Sequence, residues 1–406
     1  VTKQQRGYSL SEFEVPAQRD VSAPSALTAN QGQHFAAVDG LRGIACLAVV
    51  AHHCYLHCGK FQWPIVNVAG QTTALSRFLY YGNGGVELFF IVSGFCLAYP
   101  LFNRSNTEPW RRWFLRRAYR ILPPYYASAL LFWGMFVLLR SHPFSIFGMT
   151  SPPTGELSGK GLFVCVTLLG TYLNPSYWTL VLEARWYLLF PLLIALWRRG
   201  GFALLLLGSL LACAAAHPLS VLTPRFNLAT GNVLTFLPIF VSGMLVAHWT
   251  ATQRTPRWVS RFSPWGLLAS ILLVGFTVPS DGSPALFSPA IPWGFLVFFA
   301  LVSALSDSIL SNIARLPVLV KVGTFSYSLY LIHEPIVHLA YAMIGQHQLT
   351  PGEQFFIYEC GVLPVCVGIG YLFYRLVEHP LLRRSHLVFK RPPARAVVDP
   401  SPLQRI

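Results

Sequence analysis

From residue 36 to about residue 385 the chain is a succession of apolar runs separated by short polar connections. Eleven runs stand out, at about 41–58, 84–102, 122–140, 161–174, 178–197, 202–217, 231–249, 265–279, 290–308, 324–345 and 355–377. Most approach the twenty or so residues that an α-helix needs to cross a hydrocarbon core. The pattern predicts an all-α polytopic membrane protein. The run 161–174, "GLFVCVTLLGTYLN", is the shortest, and a run of that length reads as re-entrant or interfacial.

The two ends read differently. Residues 1–35 are polar and lack the apolar centre of a signal peptide, so they are expected to form a disordered tail. Residues 386–406 are expected to form a basic, proline-rich tail, leaving 36–385 as one membrane domain. No repeat of solenoid type is visible.

Composition agrees with the pattern. The 406 residues are 54% hydrophobic and 11% charged, where a soluble chain carries about 25% charged residues. The net charge of +15 suggests nucleic acid as a partner, but the loops explain it otherwise. With the amino terminus cytoplasmic and 161–174 not spanning, the inside connections hold thirteen Lys/Arg. The outside ones hold four, Lys60, Arg77, Lys160 and Arg225. That is the positive-inside bias. If 161–174 spanned, every later loop would invert and the bias would vanish. The expectation is therefore ten spans, both termini cytoplasmic, membrane lipid as the surrounding partner and no nucleic acid.

The eight cysteines sit almost entirely inside apolar runs, where small buried thiols are ordinary, and no disulfide framework is inferred. His53, Cys54, His57 and Cys58 have helical i, i+4 spacings that suit a metal. No second cluster follows to complete a ligand set, so no metal is expected.

Ionisable groups inside membrane helices are costly, about 2.5–3.5 kcal/mol at the centre on insertion scales, and call for a reason. Asp39 and Arg42 stand at one end of the first span and His53 stands toward the other. Eleven residues separate Arg42 from His53, three helical turns plus about 20°, so the two share a face roughly 16 Å apart. Glu87 in the second span and Glu183 in "WTLVLEARWYLLFP" fall at a depth similar to His53 on the predicted topology. A histidine with a carboxylate partner is the usual equipment for taking a proton from a hydroxyl. Glu183 or Glu87 is the expected partner, and His333, followed by Glu334, lies near mid-membrane where it could join the same cavity. Ser93–Gly94 offers a small surface for a neighbouring helix or an acyl chain. On the cytoplasmic side "RRWFLRRAYRILPP" gathers Arg111, Arg112, Arg116, Arg117 and Arg120. Arginine forks suit phosphate, although topology and anionic lipid also account for such a stretch.

These segments resemble, in order, those of the integral-membrane acyltransferase-3 family. "DGLRGIACLAVVAHH" resembles its first helix, with Arg42 and His53 in the Arg and His positions. "FFIVSGF" resembles the second-helix motif, and "RAYRILPPYY" the Arg-x-x-Arg motif, on Arg117 and Arg120. "WTLVLEARWYLLFP" resembles the Trp-Ser/Thr-Leu-x-x-Glu segment, on Trp178 and Glu183. "FSYSLYLIHEPI" and "YRLVEHPLLRR" resemble the last two helices. Two positions depart: Ala184 and Arg185 stand where a second acidic residue is common, and Glu334 stands where an aromatic commonly follows the histidine.

The resemblance implies transfer of an acyl group to a hydroxyl. His53 would be the catalytic base, with Glu183 or Glu87 orienting it. Arg42, Arg117 and Arg120 would bind the donor, and Asp39, Ser93, Gly94, Trp178 and His333 would border the pocket. No bound cofactor is expected, and acyl-CoA, most simply acetyl-CoA, would be the co-substrate. The acceptor would be a carbohydrate, glycolipid or glycosylated natural product at a bacterial cytoplasmic (inner) membrane. Some family members carry an extracytoplasmic hydrolase-like domain for which 406 residues leave no room. The chain would then complete transfer alone or hand over to a glycan-assembly partner. Direct transfer and an acyl-enzyme on Ser93 or a cysteine are both open. Two other classes fit the same residues: a transporter or flippase using the His/Glu set as a proton relay, and a haem protein using His52 or His53 with His333 as axial ligands.

Overall fold

The computed structural model describes residues 26–58, 65–68, 71–103, 109–139, 163, 166–167, 174–222, 232–278, 290–344 and 347–388. Each of the ten runs expected to span is helical in its described part. Helix α1 is Ala26–Leu56, α2 is Gly85–Asn103, α3 is Trp110–Leu139 and α4 is Trp178–Leu222. Then come α5 (Leu237–Thr252), α6 (Arg257–Thr277), α7 (Ala290–Leu305), the short α8 (Pro317–Thr324) and α9 (Ser326–Ile344). A last helix, α10, covers residues 351–388, with π turns at Tyr358–Val362 and Tyr374–Glu378. Six segments among the described residues are long and apolar enough to cross a membrane by length and composition alone. Large apolar side chains stand exposed along α4 (Leu188, Leu192, Leu196) and α6 (Trp258, Phe262, Trp265, Phe276). A soluble monomer rarely exposes such faces; hydrocarbon covers them in an integral membrane protein.

Three local features differ from the sequence pattern. Helix α1 starts at Ala26, inside the segment expected to be a tail. Pro24 is the last proline ahead of it, and nothing between there and Asp39 forbids helical backbone. A two-stranded antiparallel hairpin, β1 (Ile65–Val68) on β2 (Gln71–Ala74), interrupts the all-helical pattern between α1 and α2. Five β-branched residues, Ile65, Val66, Val68, Thr72 and Thr73, lie on either side of Ala69–Gly70, a strand signal too short to register beside twenty-residue runs. Helix α4 is two helices joined at Gly201, whose φ of 71° and ψ of −178° lie outside the range of other residues. The "RRGG" stretch is thus the predicted connection between two spans. The apolar segment 161–174 and both ends of the chain lie largely outside the described residues.

Between lipid-embedded helices there is no hydrophobic drive, and close backbone approach supplies the packing energy. Gly94 of α2 and Gly243 of α5 do this here. A Cβ on Gly94 would sit 2.1 Å from the Phe240 carbonyl oxygen, and one on Gly243 would sit 2.0 Å from that of Ile91. Gly94 is therefore a helix contact and not a surface for an acyl chain. Either glycine replaced by alanine must push the two backbones apart. The expected loss is about 1–3 kcal/mol, read as a lower unfolding midpoint in detergent, and an unchanged midpoint would refute the crossing.

Four apolar clusters result among the described residues. The largest joins α1, α2, α4, α5 and α7, a second joins α1, α9 and α10, a third joins α3, α9 and Tyr177, and a small fourth joins α6 to α7.

Candidate active site

Helix α9 carries Pro335 in its interior. A proline has no N–H to give to the carbonyl four residues back, here that of Leu331. Asn174 fills the vacancy: its Nδ2 donates to the Leu331 carbonyl at 3.1 Å. That bond pins the turn before α4 against α9. The Ser176 N–H is then shared between Asn174 Oδ1 (2.9 Å) and Glu334 Oε2 (2.6 Å), and the Ser176 hydroxyl also donates to Glu334 Oε2. With Oε2 occupied, Glu334 Oε1 faces His53 Nε2 at 3.9 Å and His338 Nε2 at 3.6 Å.

The hydrogen bonds assign the tautomers. His53 Nδ1 lies 2.9 Å from the Val49 carbonyl and His333 Nδ1 lies 2.7 Å from the Tyr330 carbonyl. A carbonyl only accepts, so both Nδ1 atoms carry a proton. His333 Nε2, 3.3 Å from His53 Nδ1, then accepts a second branch of the His53 N–H. What remains is His53 Nε2, with a carboxylate beside it. His333 is fully buried, whereas the His53 side chain keeps 23% of its surface exposed. His53 is the one a substrate can reach.

A cavity of about 330 Å³ lies along α2 on the Arg42 side of this cluster. Its lining runs from Val86 to Leu97, eleven residues or about 16 Å of helix. At the Leu97 end stand Asp39 and Arg42 of α1, Arg117 and Arg120 of α3, and Tyr187 of α4. Arg42 pairs with Asp39 at 3.7 Å, and Arg117 lies over the Trp113 ring at 5.7 Å. Glu183 also lines the cavity. Its Oε1 accepts from the Ser93 hydroxyl at 2.7 Å and the Tyr187 hydroxyl at 2.5 Å.

The structure thus brings together most residues marked in the sequence, in a different grouping. Arg42, Arg117, Arg120, Asp39, Ser93 and Glu183 share the cavity, and His53 and His333 share the cluster beyond it. Glu183 is not the partner of His53, because its carboxylate is turned to α2 and its own helix. Glu87 is not the partner either: it is buried in the first turn of α2, its Oε2 without a hydrogen bond. The carboxylate at His53 is Glu334, which the sequence reading noted beside His333 and as a departure from a pattern but did not pair with His53. Its signal was present as two adjacent polar residues, His333 and Glu334, in the middle of an apolar helix and followed by proline. Trp178 packs on Phe90 and Phe236, 6.0 Å from each ring, and does not line the cavity. His53 and His333 are bonded to each other at 3.3 Å, which leaves no place for a haem iron between those nitrogens.

A family model described as an acyltransferase domain matches residues 35–375. The chain is 26% identical to acyltransferase MdmB of Streptomyces mycarofaciens over 89% of this chain and 94% of that one. It is 25% identical to nodulation protein 10 of Rhizobium leguminosarum bv. viciae over 77% of this chain and 86% of that one. Its identity to peptidoglycan O-acetyltransferase OatA of Listeria monocytogenes serovar 1/2a is 24%, over 74% of this chain and 49% of that protein. No solved structure matches.

Proposed function

This chain belongs to the acyltransferase-3 family and is an integral-membrane enzyme that transfers acyl groups, and from that premise we propose an O-acyltransferase that moves a short acyl group from acyl-CoA to a carbohydrate hydroxyl. The observation that carries the reading is His53 Nε2 beside Glu334, with a cavity nearby whose lining holds three arginines.

The donor's phosphates lie against Arg120, Arg117 and Arg42, and its pantetheine arm runs along α2 toward Tyr330. The acceptor hydroxyl approaches His53 from the opposite side. Nε2 takes the hydroxyl proton as the oxygen attacks the thioester carbonyl carbon, and Glu334 stabilises the imidazolium that forms. The C–O bond closes, the C–S bond breaks, and the departing sulfur takes the proton back as the CoA thiol. Transfer is direct. Ser93, the serine of α2 on the cavity, is bonded to Glu183 and not to a histidine. The acceptor class rests on the peptidoglycan O-acetyltransferase among the relatives. Ten spans with both termini cytoplasmic, as the basic loops require, put the arginines on the side where CoA is found and His53 toward the outer face. A bacterial inner membrane fits that arrangement, with lipid and glycan-assembly proteins as its partners.

The test is release of CoA thiol from acetyl-CoA by protein in nanodiscs, with and without an extract of surface glycans and glycolipids. Release that depends on the extract is the expected result. Extract components carried across a vesicle wall without thiol release would establish the transporter instead.

A further inference from the structure

We propose that Lys321, Arg375 and Tyr371 hold the phosphate of an anionic phospholipid whose acyl chains lie along α10. These residues do not line the cavity and do not touch the histidines, so the inference stands apart from the reaction assigned there. Lys321 is on α8, and two close backbone crossings fix its level in the bundle. A Cβ on Gly43 of α1 would run into the Leu319 carbonyl, and one on Gly323 would run into that of Asp39. Lys321 lies between Leu319 and Gly323, so it stands at the Arg42 end. Helix α10 passes the same level at Tyr371. Lys321 Nζ is 5.5 Å from the centre of the Tyr371 ring, and Arg375 Cζ is 6.0 Å from it. Arg375 Nη1 donates to the Tyr371 hydroxyl oxygen at 3.3 Å, which leaves the hydroxyl proton for an acceptor such as a phosphate oxygen.

Both cations are exposed, and two like charges gathered at one ring repel each other. Neither has an ion pair with a carboxylate among the described residues. Glu378, three residues after Arg375, is buried and accepts from Ser328 Oγ at 2.5 Å. The missing charge is therefore to be supplied from outside the chain. What marks its source as a lipid is the surface that leads away from the cations. Leu372, Ile369 and Val365 stand exposed on one face of α10. Ten residues separate Arg375 from Val365, about 15 Å of helix, or half of a hydrocarbon core of about 30 Å. The levels agree, since Cys366 Sγ lies 3.9 Å from the carbonyl of mid-membrane His333. On α8 exposed Val318 adds apolar surface one turn from Lys321. A soluble phosphate has no use for such a stripe. A phospholipid lays one leaflet's depth of acyl chain on it with its phosphate at the two cations, and a zwitterionic headgroup would bring a third positive charge to them.

The experiment measures lipid retained by the full chain in detergent, by native mass spectrometry, with phosphatidylglycerol or phosphatidylcholine of identical acyl chains as probes. Wild type is expected to retain phosphatidylglycerol at least tenfold more strongly. The double variant Lys321→Gln, Arg375→Gln is expected to lose most of that preference and to keep its retention of phosphatidylcholine. Should the double variant not fold, either single substitution serves, with a loss of at least threefold expected. Glycerol phosphate is expected not to displace the lipid. Displacement by glycerol phosphate would make this a site for soluble phosphate, displacement by CoA would give the cations to the donor, and either overturns the proposal. A preference unchanged in the variant overturns it in favour of the arginines of α3, and a wild type without preference overturns it outright.

Discussion

Substitution of His53 by glutamine is expected to lower kcat about 10²–10⁴-fold, the usual contribution of a positioned general base. Glutamine keeps a polar group of similar reach, so the Val49 carbonyl and His333 still find a partner, and the unfolding midpoint should move little. It has no lone pair basic enough to take a hydroxyl proton. Acyl-CoA binding should survive, because Arg42 lies about 16 Å away along α1, and Arg117 and Arg120 of α3 line the same cavity as Arg42. The informative result is therefore a protein that folds, retains the donor, and does not turn over. A folded His53→Gln enzyme with wild-type kcat would exclude His53 from the proton transfer.

The second large effect separates Glu334 from Glu183, the glutamate that the sequence reading set beside His53. Glu334→Gln removes the negative charge 3.9 Å from His53 Nε2. Two unit charges about 4 Å apart interact by about 4 kcal/mol at an effective dielectric constant near 20. Only the imidazolium formed during reaction feels that attraction, so the loss appears in kcat, up to about 10³-fold at about 1.4 kcal/mol per decade. Glu183→Gln acts elsewhere. Its carboxylate is held by Ser93 and Tyr187 within the cavity, and the expected change is in KM for acyl-CoA with kcat preserved. The reverse assignment, with kcat falling in Glu183→Gln and only KM changing in Glu334→Gln, would return Glu183 to the imidazole.

What the chain's own pattern determines here is what a single helix determines. The spans follow from apolar runs of bilayer length. The shared face of Arg42 and His53 follows from 3.6 residues per turn. The break in α4 follows from Gly201, since only glycine adopts that backbone readily. Family membership was legible too, because it rests on motifs in order along the chain. The partner of His53 was not legible. Glu87, Glu183 and Glu334 stand on three different helices, and depth in the membrane, which favoured Glu87 and Glu183, does not say which of them meets the imidazole. Rotation of each helix about its own axis decides which carboxylate meets the imidazole, and that rotation is set by contacts between helices. Gly94 on Phe240 fixes α2 against α5. The carbonyl freed by Pro335 and captured by Asn174 fixes the start of α4 against α9, and with it the direction of Glu334. Each contact joins residues distant along the chain, by 157 positions for Asn174 and Leu331. No local periodicity contains that information, and the assembled bundle does.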